Sequence, residues 1–208
     1  MNMKRTIKRT AGVILSICML ANTATVNAAT VTLSKDPATN AYYNRIRGKH
    51  LKRMSTKKFI KVMGPIAQAD YQKTGVLASV TLAQAIVESG WGRSRLSVQG
   101  NNLFGMKTNL SGNRWKGSTW KGRSVSRRGS RFRAYKSIAL CVADHSAYLS
   151  NVKRYRGLKK TKSYSRQISI IQRGGYCTGG YYGAMLRRTI RKYHLTRFDK
   201  KEAIALKK

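Results

Sequence analysis

Six carboxylates stand against 43 lysines and arginines in this 208-residue chain, so each acid can be weighed singly as a proton donor or nucleophile. Asp36 falls in a polar N-terminal stretch and Asp199 and Glu202 near the C-terminus, which leaves Asp70, Glu88 and Asp144 within the patterned part of the chain. Glu88 sits in "AIVESGWG" (85–92), where an apolar helical run gives way to Ser-Gly-Trp-Gly. A carboxyl in the last turn of a helix faces the negative end of the macrodipole, and cover from Val87 and Trp91 further disfavours its charged form. Both effects raise its pKa, as a general acid at neutral pH requires, while Arg93 and Arg95 pull the other way. A solvated or salt-bridged glutamate satisfies the composition equally well.

Asp144 neighbours His145, which suggests a relay. Adjacent helical residues point about 100° apart, however, and His145 falls on an apolar stripe with Asp144 on its flank, as suits a structural histidine. No Gly-x-Ser-x-Gly nucleophile turn occurs. Cys177 in "GGYCTGG" could act as a thiol nucleophile with His145 or His194, but no helix N-terminus is predicted there to depress its pKa. Trp91, Phe104, Trp115 and Trp120 lie near Asn101 and Asn102. Flat apolar faces beside amides suit a sugar-binding cleft, and they suit equally the packing of a lobe poor in aliphatic residues. His50, His145 and His194 are far apart and no Cys/His cluster has ligand spacing, so no metal site and no cofactor is predicted.

The elements that must position these groups are mostly helical. Ser55 is a predicted N-cap for a helix over 57–71, with Phe59, Ile60, Met63, Ile66 and Ala67 on one stripe and Pro65 kinking or dividing it. A second helix runs from about Val76 or Ala78 to Ser89 and stops at Gly90. Residues 93–136 are rich in Gly, Ser, Asn, Arg and Lys, with 114–116 and 130–135 as candidate strands of a small hairpin. Helical period returns over Ile138 to Val152, and a last helix over 182–193 turns Tyr182, Met185, Leu186 and Thr189 inward. The pattern is one domain, mainly α with a small β-rich insertion.

Residues 1–28 carry Lys4, Arg5, Lys8 and Arg9, an apolar run over 11–21 and Val-Asn-Ala at 26–28, the pattern of an export signal. The run is too short to span a bilayer, and Ile17 before Cys18 fits a lipid-attachment site poorly, so no stable membrane anchor is expected. Removal of this segment lowers the formal charge from +37 to +33. An exported chain of that charge meets the anionic polymers of a cell wall, such as teichoic acids, before it meets nucleic acid, which is not an expected partner. Cys141 and Cys177 remain, either as buried thiols or as a bridge worth about 4 kcal/mol. Residues 29–55 read as a basic linker or arm on which Tyr42 and Tyr43 could dock, 56–199 as the core-bearing domain and 200–208 as a basic tail.

Four ordered blocks carry a resemblance: "LASVTLAQAIVESGWGRS" (77–94), "GNNLFGMKTNLSG" (100–112), "FRAYKSIALCVADHSAYL" (132–149) and "GGYCTGGYYGAMLRRTIRKYHLTRFD" (174–199). Together they resemble the peptidoglycan β-N-acetylglucosaminidases of glycoside hydrolase family 73, also described as mannosyl-glycoprotein endo-β-N-acetylglucosaminidase-like domains. The resemblance implies that 56–199 is a glucosaminidase catalytic domain with an α+β, lysozyme-like fold, a helical lobe and a small β-hairpin lobe flanking a glycan cleft, cleaving the β-1,4 bond after N-acetylglucosamine in peptidoglycan; with the export signal, a secreted, wall-associated monomer is expected. The resemblance implies Glu88 as general acid and Tyr176 as its catalytic companion. Asn101, Asn102 and Phe104 match the block that follows the family's catalytic helix, and together with Trp91, Trp115, Trp120 and Tyr135 they form the candidate substrate-binding set. Relatives often carry a second acid in the β-lobe, whereas no Asp or Glu occurs here between Glu88 and Asp144. Asp144 is then the candidate second acid, or else the substrate's own 2-acetamido oxygen assists. Cys177, Gly179 and Gly180 also replace the Ala, Asp and Pro of the family's segment after Tyr176. The alternatives are a muramidase or lytic transglycosylase on a related fold, and a non-catalytic binder of anionic wall polymers.

Overall fold

A computed structural model describes residues 31–110 and 115–200. The export signal (1–28) and all but the first residue of the basic tail lie outside the described residues. The helical order is α1 (Pro37–Asn44), α2 (Gly48–Leu51), α3 (Thr56–Thr74), α4 (Ala78–Ser89) and α5 (Arg95–Gly100). A hairpin follows, β1 (Ser124–Arg127) and β2 (Ser130–Arg133), then α6 (Ile138–Asn151), α7 (Tyr164–Arg173) and α8 (Tyr182–Lys192), with short 3-10 turns at Lys153–Tyr155, Leu158–Lys160 and Leu195–Phe198. The architecture is α+β and lysozyme-like: a helical lobe with a two-stranded antiparallel sheet beside it.

α4 is the axis of the helical lobe because its sequence is apolar or small all round. Every residue from Ala78 to Ile86 is buried, and α3, α7, α8 and the Leu195–Phe198 turn pack around it. Leu77 offers no side-chain cap at its start. Asp199 supplies one from the far end of the domain, its carboxylate accepting the Ser79 N–H at 2.8 Å. Asp36 does the same locally for α1, accepting from the Ala38 and Thr39 amides.

Three expectations change. Residues 31–51 are no loose arm: Val31, Leu33, Tyr43, Ile46 and Leu51 are buried in the core, while Tyr42 remains exposed. The segment is fixed by Asn44, which brackets the Val31 backbone, and by the Ile138 N–H donating to the Ile46 carbonyl at 3.0 Å. Such side-chain-to-backbone ties carry no hydrophobic period, which is why this stretch reads as a linker. α3 runs unbroken through Pro65, its ends set by Ser55 and by Gly75 at φ +74°. In the hairpin the partner of β2 is Ser124–Arg127 rather than 114–116; Arg128 and Gly129, both at positive φ, form the two-residue turn, and Arg114 lies outside the described residues. On α8, Ile190 is buried in place of Met185, which is 46% exposed.

Asp70, near the end of α3, is buried, and desolvation pushes its pKa up to about 7, against smaller opposing effects from Ser146, Lys73 and Thr74. An acid whose folded pKa is raised holds its proton more tightly in the native state, so the contribution of Asp70 to stability is greatest below pH 3.8 and declines until pH 7. Asp70→Asn is therefore expected to raise the urea midpoint at pH 8, by on the order of 2–4 kcal/mol in stability, and to leave it little changed at pH 4. Equal effects at both pH values would contradict an ionisable Asp70 in the core.

Candidate active site

Glu88 is held at the end of α4 by the residues that follow it. Gly90, Trp91 and Gly92 take φ of +56°, +63° and +75°, three successive left-handed residues that turn the chain back sharply. Ser89 pins the turn, donating to the Ala85 carbonyl at 2.5 Å and accepting the Gly92 N–H at 2.7 Å. Trp91 is anchored edge-on between Phe59 and Tyr193, at 5.5 and 4.9 Å between centroids, which offsets the strain of a bulky left-handed residue. "SGWG" is thus the device that ends α4 with Glu88 facing out.

Glu88 opens into a cleft of about 400 Å³ with Phe104, Tyr148, Arg154, Tyr155, Tyr176 and Cys177 on its walls. The Glu88 side chain is exposed on the cleft side, yet the surrounding protein desolvates the carboxyl and raises its pKa, with a hydrogen bond from Tyr182 pulling the other way. Tyr182 is itself positioned by Gln84, one turn before Glu88, whose Nε2 donates to the tyrosine oxygen at 2.9 Å. Tyr176 stacks on Tyr182 at 6.0 Å, and its hydroxyl is buried without a hydrogen-bond partner. Burial and the nearby Tyr182 and Glu88 drive its pKa well above 10, so it remains a proton-bearing donor across the physiological range. An acid with a raised pKa beside an unsatisfied phenol in an open groove can protonate a leaving oxygen and hydrogen-bond a polar substituent.

The chain matches the Glucosaminidase family, described as mannosyl-glycoprotein endo-beta-N-acetylglucosaminidase, over residues 64–195. It belongs to the glucosaminidase family. It is 34% identical over 149 residues to the exo-glucosaminidase LytG of Bacillus subtilis, covering 68% of this chain and 52% of the relative. A probable N-acetylmuramidase of Lactococcus lactis is 32% identical over 154 residues, covering 70% and 35%. The crystal structure of a peptidoglycan hydrolase from Sphingomonas sp. A1 superposes with a TM-score of 0.56 at 29% identity, covering 73% of this chain and all of the other. The chain thus spans about half or less of the length of these two curated relatives. It carries a glycoside hydrolase domain.

Within this glucosaminidase domain, Glu88, Tyr176 and Phe104 meet at the cleft, whereas the other sequence candidates lie behind it and hold the surrounding elements together. Asn101, left-handed at φ +51°, accepts the Gly48 amide at 2.8 Å and donates to the Tyr135 carbonyl at 2.7 Å. Asn102 is buried, its amide oxygen accepting from Phe104 and Met106 and its amino group donating to Met106 and Arg133 carbonyls. Both amides are consumed by backbone. Phe104 lies flat on His145 at 3.8 Å, which seals that histidine from solvent and pushes its pKa down to about 3. Such a histidine serves neither Asp144 as a relay nor Cys177 as a base. Cys141 and Cys177 are free thiols, the first buried and the second on the cleft wall.

Asp144 does not reach the cleft. It is fully buried, paired with Arg133 at 3.0 Å, and accepts from Tyr135 Oη (2.7 Å), Ser118 Oγ (2.6 Å) and the Thr119 amide (3.1 Å). Trp115 and Trp120 sandwich the Arg133 guanidinium at 4.0 and 4.5 Å. Trp115, Trp120, Tyr135 and Asp144 therefore form a clamp that fastens the hairpin lobe to α6, and Trp91 braces the turn after Glu88. Sequence reasoning passed over Gln84, Tyr148, Tyr155 and Tyr182 as site residues because each sits where a helical or turn period reads as core; Arg154 had no period to mark it.

Tyr182→Phe removes the hydrogen bond that favours the Glu88 carboxylate. The alkaline limb of the pH profile of kcat/KM is expected to move to higher pH, with the fold intact by circular dichroism. A limb that stays in place, or moves down, would separate Tyr182 from Glu88.

Proposed function

We propose that this chain is an exported, wall-associated peptidoglycan hydrolase that cleaves the β-1,4 bond after N-acetylglucosamine, with Glu88 as general acid. The observation that carries this is one of elimination: among the described acids, Glu88 alone lines the cleft. Asp36 and Asp199 cap helices, Asp70 is buried in the core and Asp144 is locked to Arg133. No helix among the described residues is long and apolar enough to cross a membrane. The large positive charge supports retention on teichoic acids or other anionic wall polymers.

A two-carboxylate mechanism needs a second group about 5–9.5 Å across the cleft. With Asp144 committed elsewhere, the scheme supported here is substrate-assisted. Glu88 gives its proton to the leaving glycosidic oxygen as the substrate's 2-acetamido oxygen bonds to C1. The Glu88 carboxylate then takes a proton from the water that opens the resulting ring. Tyr176 donates its unpartnered hydroxyl to the acetamido group and orients it. The predicted product is a retained β-anomer.

Mass spectrometry of digested peptidoglycan tests the bond cleaved. Reducing N-acetylglucosamine ends are expected, with glycan length falling early if cleavage is internal, whereas reducing or anhydro-muramic ends would support the muramidase or lytic transglycosylase reading. Inversion at the anomeric carbon, followed by NMR, would overturn substrate assistance. A folded protein that binds walls without cleaving them would be the non-catalytic binder.

A further inference from the structure

A second groove, of about 550 Å³, lies between the Leu158–Lys160 turn and α7, and the chemistry described so far does not use it. Lys160, Arg166 and Arg173 line it with Thr161, Ser165 and Ser169, and no carboxylate is among its lining residues. The three cations are exposed. Arg166, Ser169 and Arg173 recur at i, i+3 and i+7, so they share one face of α7, with the two guanidinium-bearing positions about 10 Å apart along the axis. That spacing presents the charges to successive groups of a chain rather than to one isolated anion.

The floor is built. Arg187 on α8 donates to the Ser165 carbonyl at 3.3 Å and to Ser169 Oγ at 2.8 Å, and Ser169 donates on to the Ser165 carbonyl at 3.0 Å. These bonds fix the first two turns of α7, leaving Arg166 and Arg173 to face the groove. Apart from Gly157 and Ile170 the lining side chains are polar, and none is aromatic. A groove for single-stranded nucleic acid would use stacking platforms, which are missing among the lining residues. Guanidinium forks and hydroxyls without an aromatic surface suit phosphodiesters joined by small polyols.

Its location gives it a role. Gly157 lies two residues beyond Tyr155, and Arg173 two residues before Gly175; Tyr155 and Gly175 both line the catalytic cleft. Two residues span at most about 7 Å of chain, so the groove reaches the flank of the cleft from two stretches of sequence, which meet where Gly174 packs on Tyr155. We propose that this groove binds a polyol-phosphate polymer of the wall and holds the glycan that bears it against Glu88. This rests on the wall location given under Proposed function, and it turns a diffuse positive field into one assigned site.

The test uses the full chain and two triple variants, K160Q/R166Q/R173Q in the groove and K121Q/R123Q/R128Q at the exposed hairpin side as a charge-matched control. Both are sedimented with walls retaining their polyol-phosphate polymer and with the same walls stripped of it by hydrofluoric acid. The groove variant is expected to bind intact walls about tenfold more weakly than wild type and to digest stripped walls at the wild-type rate, with the control within about twofold on both. Equal losses for the two triples would reduce the groove to part of a general field and overturn the proposal. So would wild-type binding that ignores stripping, or displacement from the groove by single-stranded DNA at lower concentration than by soluble polyol phosphate. Groove-dependent binding without turnover in wild type would overturn the hydrolase assignment and leave the groove standing.

Discussion

Glu88→Gln is expected to lower kcat on peptidoglycan by about 10²–10⁴, the usual contribution of a positioned general acid, with wall binding retained. Glutamine preserves the size of the side chain and can still accept the hydrogen bond from Tyr182, so the turn at Gly90–Gly92 and the stack of Tyr176 on Tyr182 have no reason to move. What disappears is the proton. A chitobiose-type glycoside whose leaving group needs no protonation, such as a dinitrophenolate, should therefore be cleaved by the variant far closer to the wild-type rate than the wall is. Wild-type activity on peptidoglycan should also fall as pH rises through the raised pKa of Glu88, since only the protonated acid donates. Equal activity of variant and wild type on walls would remove Glu88 from the mechanism, and equal losses on both substrates would point to a positioning role instead.

The parts of the fold visible in the sequence are those whose stability comes from one buried stripe or face. α4 and α6 declare themselves because apolar residues recur at helical steps, and "SGWG" announces the end of α4 because glycine accepts positive φ. α1 and α2 are hidden because amide-to-backbone bonds from Asn44 and Asn101 hold them as much as apolar contact does. α7 is hidden for a related reason: only Gln167, Ile168 and Ile171 of its ten residues are buried, and Gln167 earns its place by bonding the Leu77 amide and the Gly75 carbonyl ninety positions away. The site divides along the same line. The place of Glu88 and Tyr176 at the cleft is legible through their ordered blocks, while the amides at 101 and 102 read as sugar ligands because an asparagine that serves backbone and one that serves substrate are identical in sequence.

Asp144 is the sharpest instance of that ambiguity, and its removal is the largest stability effect expected. Asp144→Ala strands the Arg133 guanidinium, which is fully buried between two tryptophans, and leaves Tyr135 and Ser118 without their acceptor. Breaking a buried pair from one side costs about 3–5 kcal/mol because an uncompensated charge remains. Urea unfolding should show a midpoint lowered to match. Adding Arg133→Met should return part of the loss, since the orphaned charge goes with it. A second catalytic carboxylate would behave in the opposite way: its removal would abolish turnover while leaving the midpoint near wild type, and no change at Arg133 would help. Turnover per folded molecule, measured at low temperature where Asp144→Ala remains native, is expected to stay within about an order of magnitude of wild type, against the 10²–10⁴ lost with an acid or base that acts on substrate. The two carboxylates thus separate by physics: Glu88 stays accessible at the cleft with its pKa raised by desolvation, whereas Asp144 is buried in the clamp that fastens the hairpin lobe to α6.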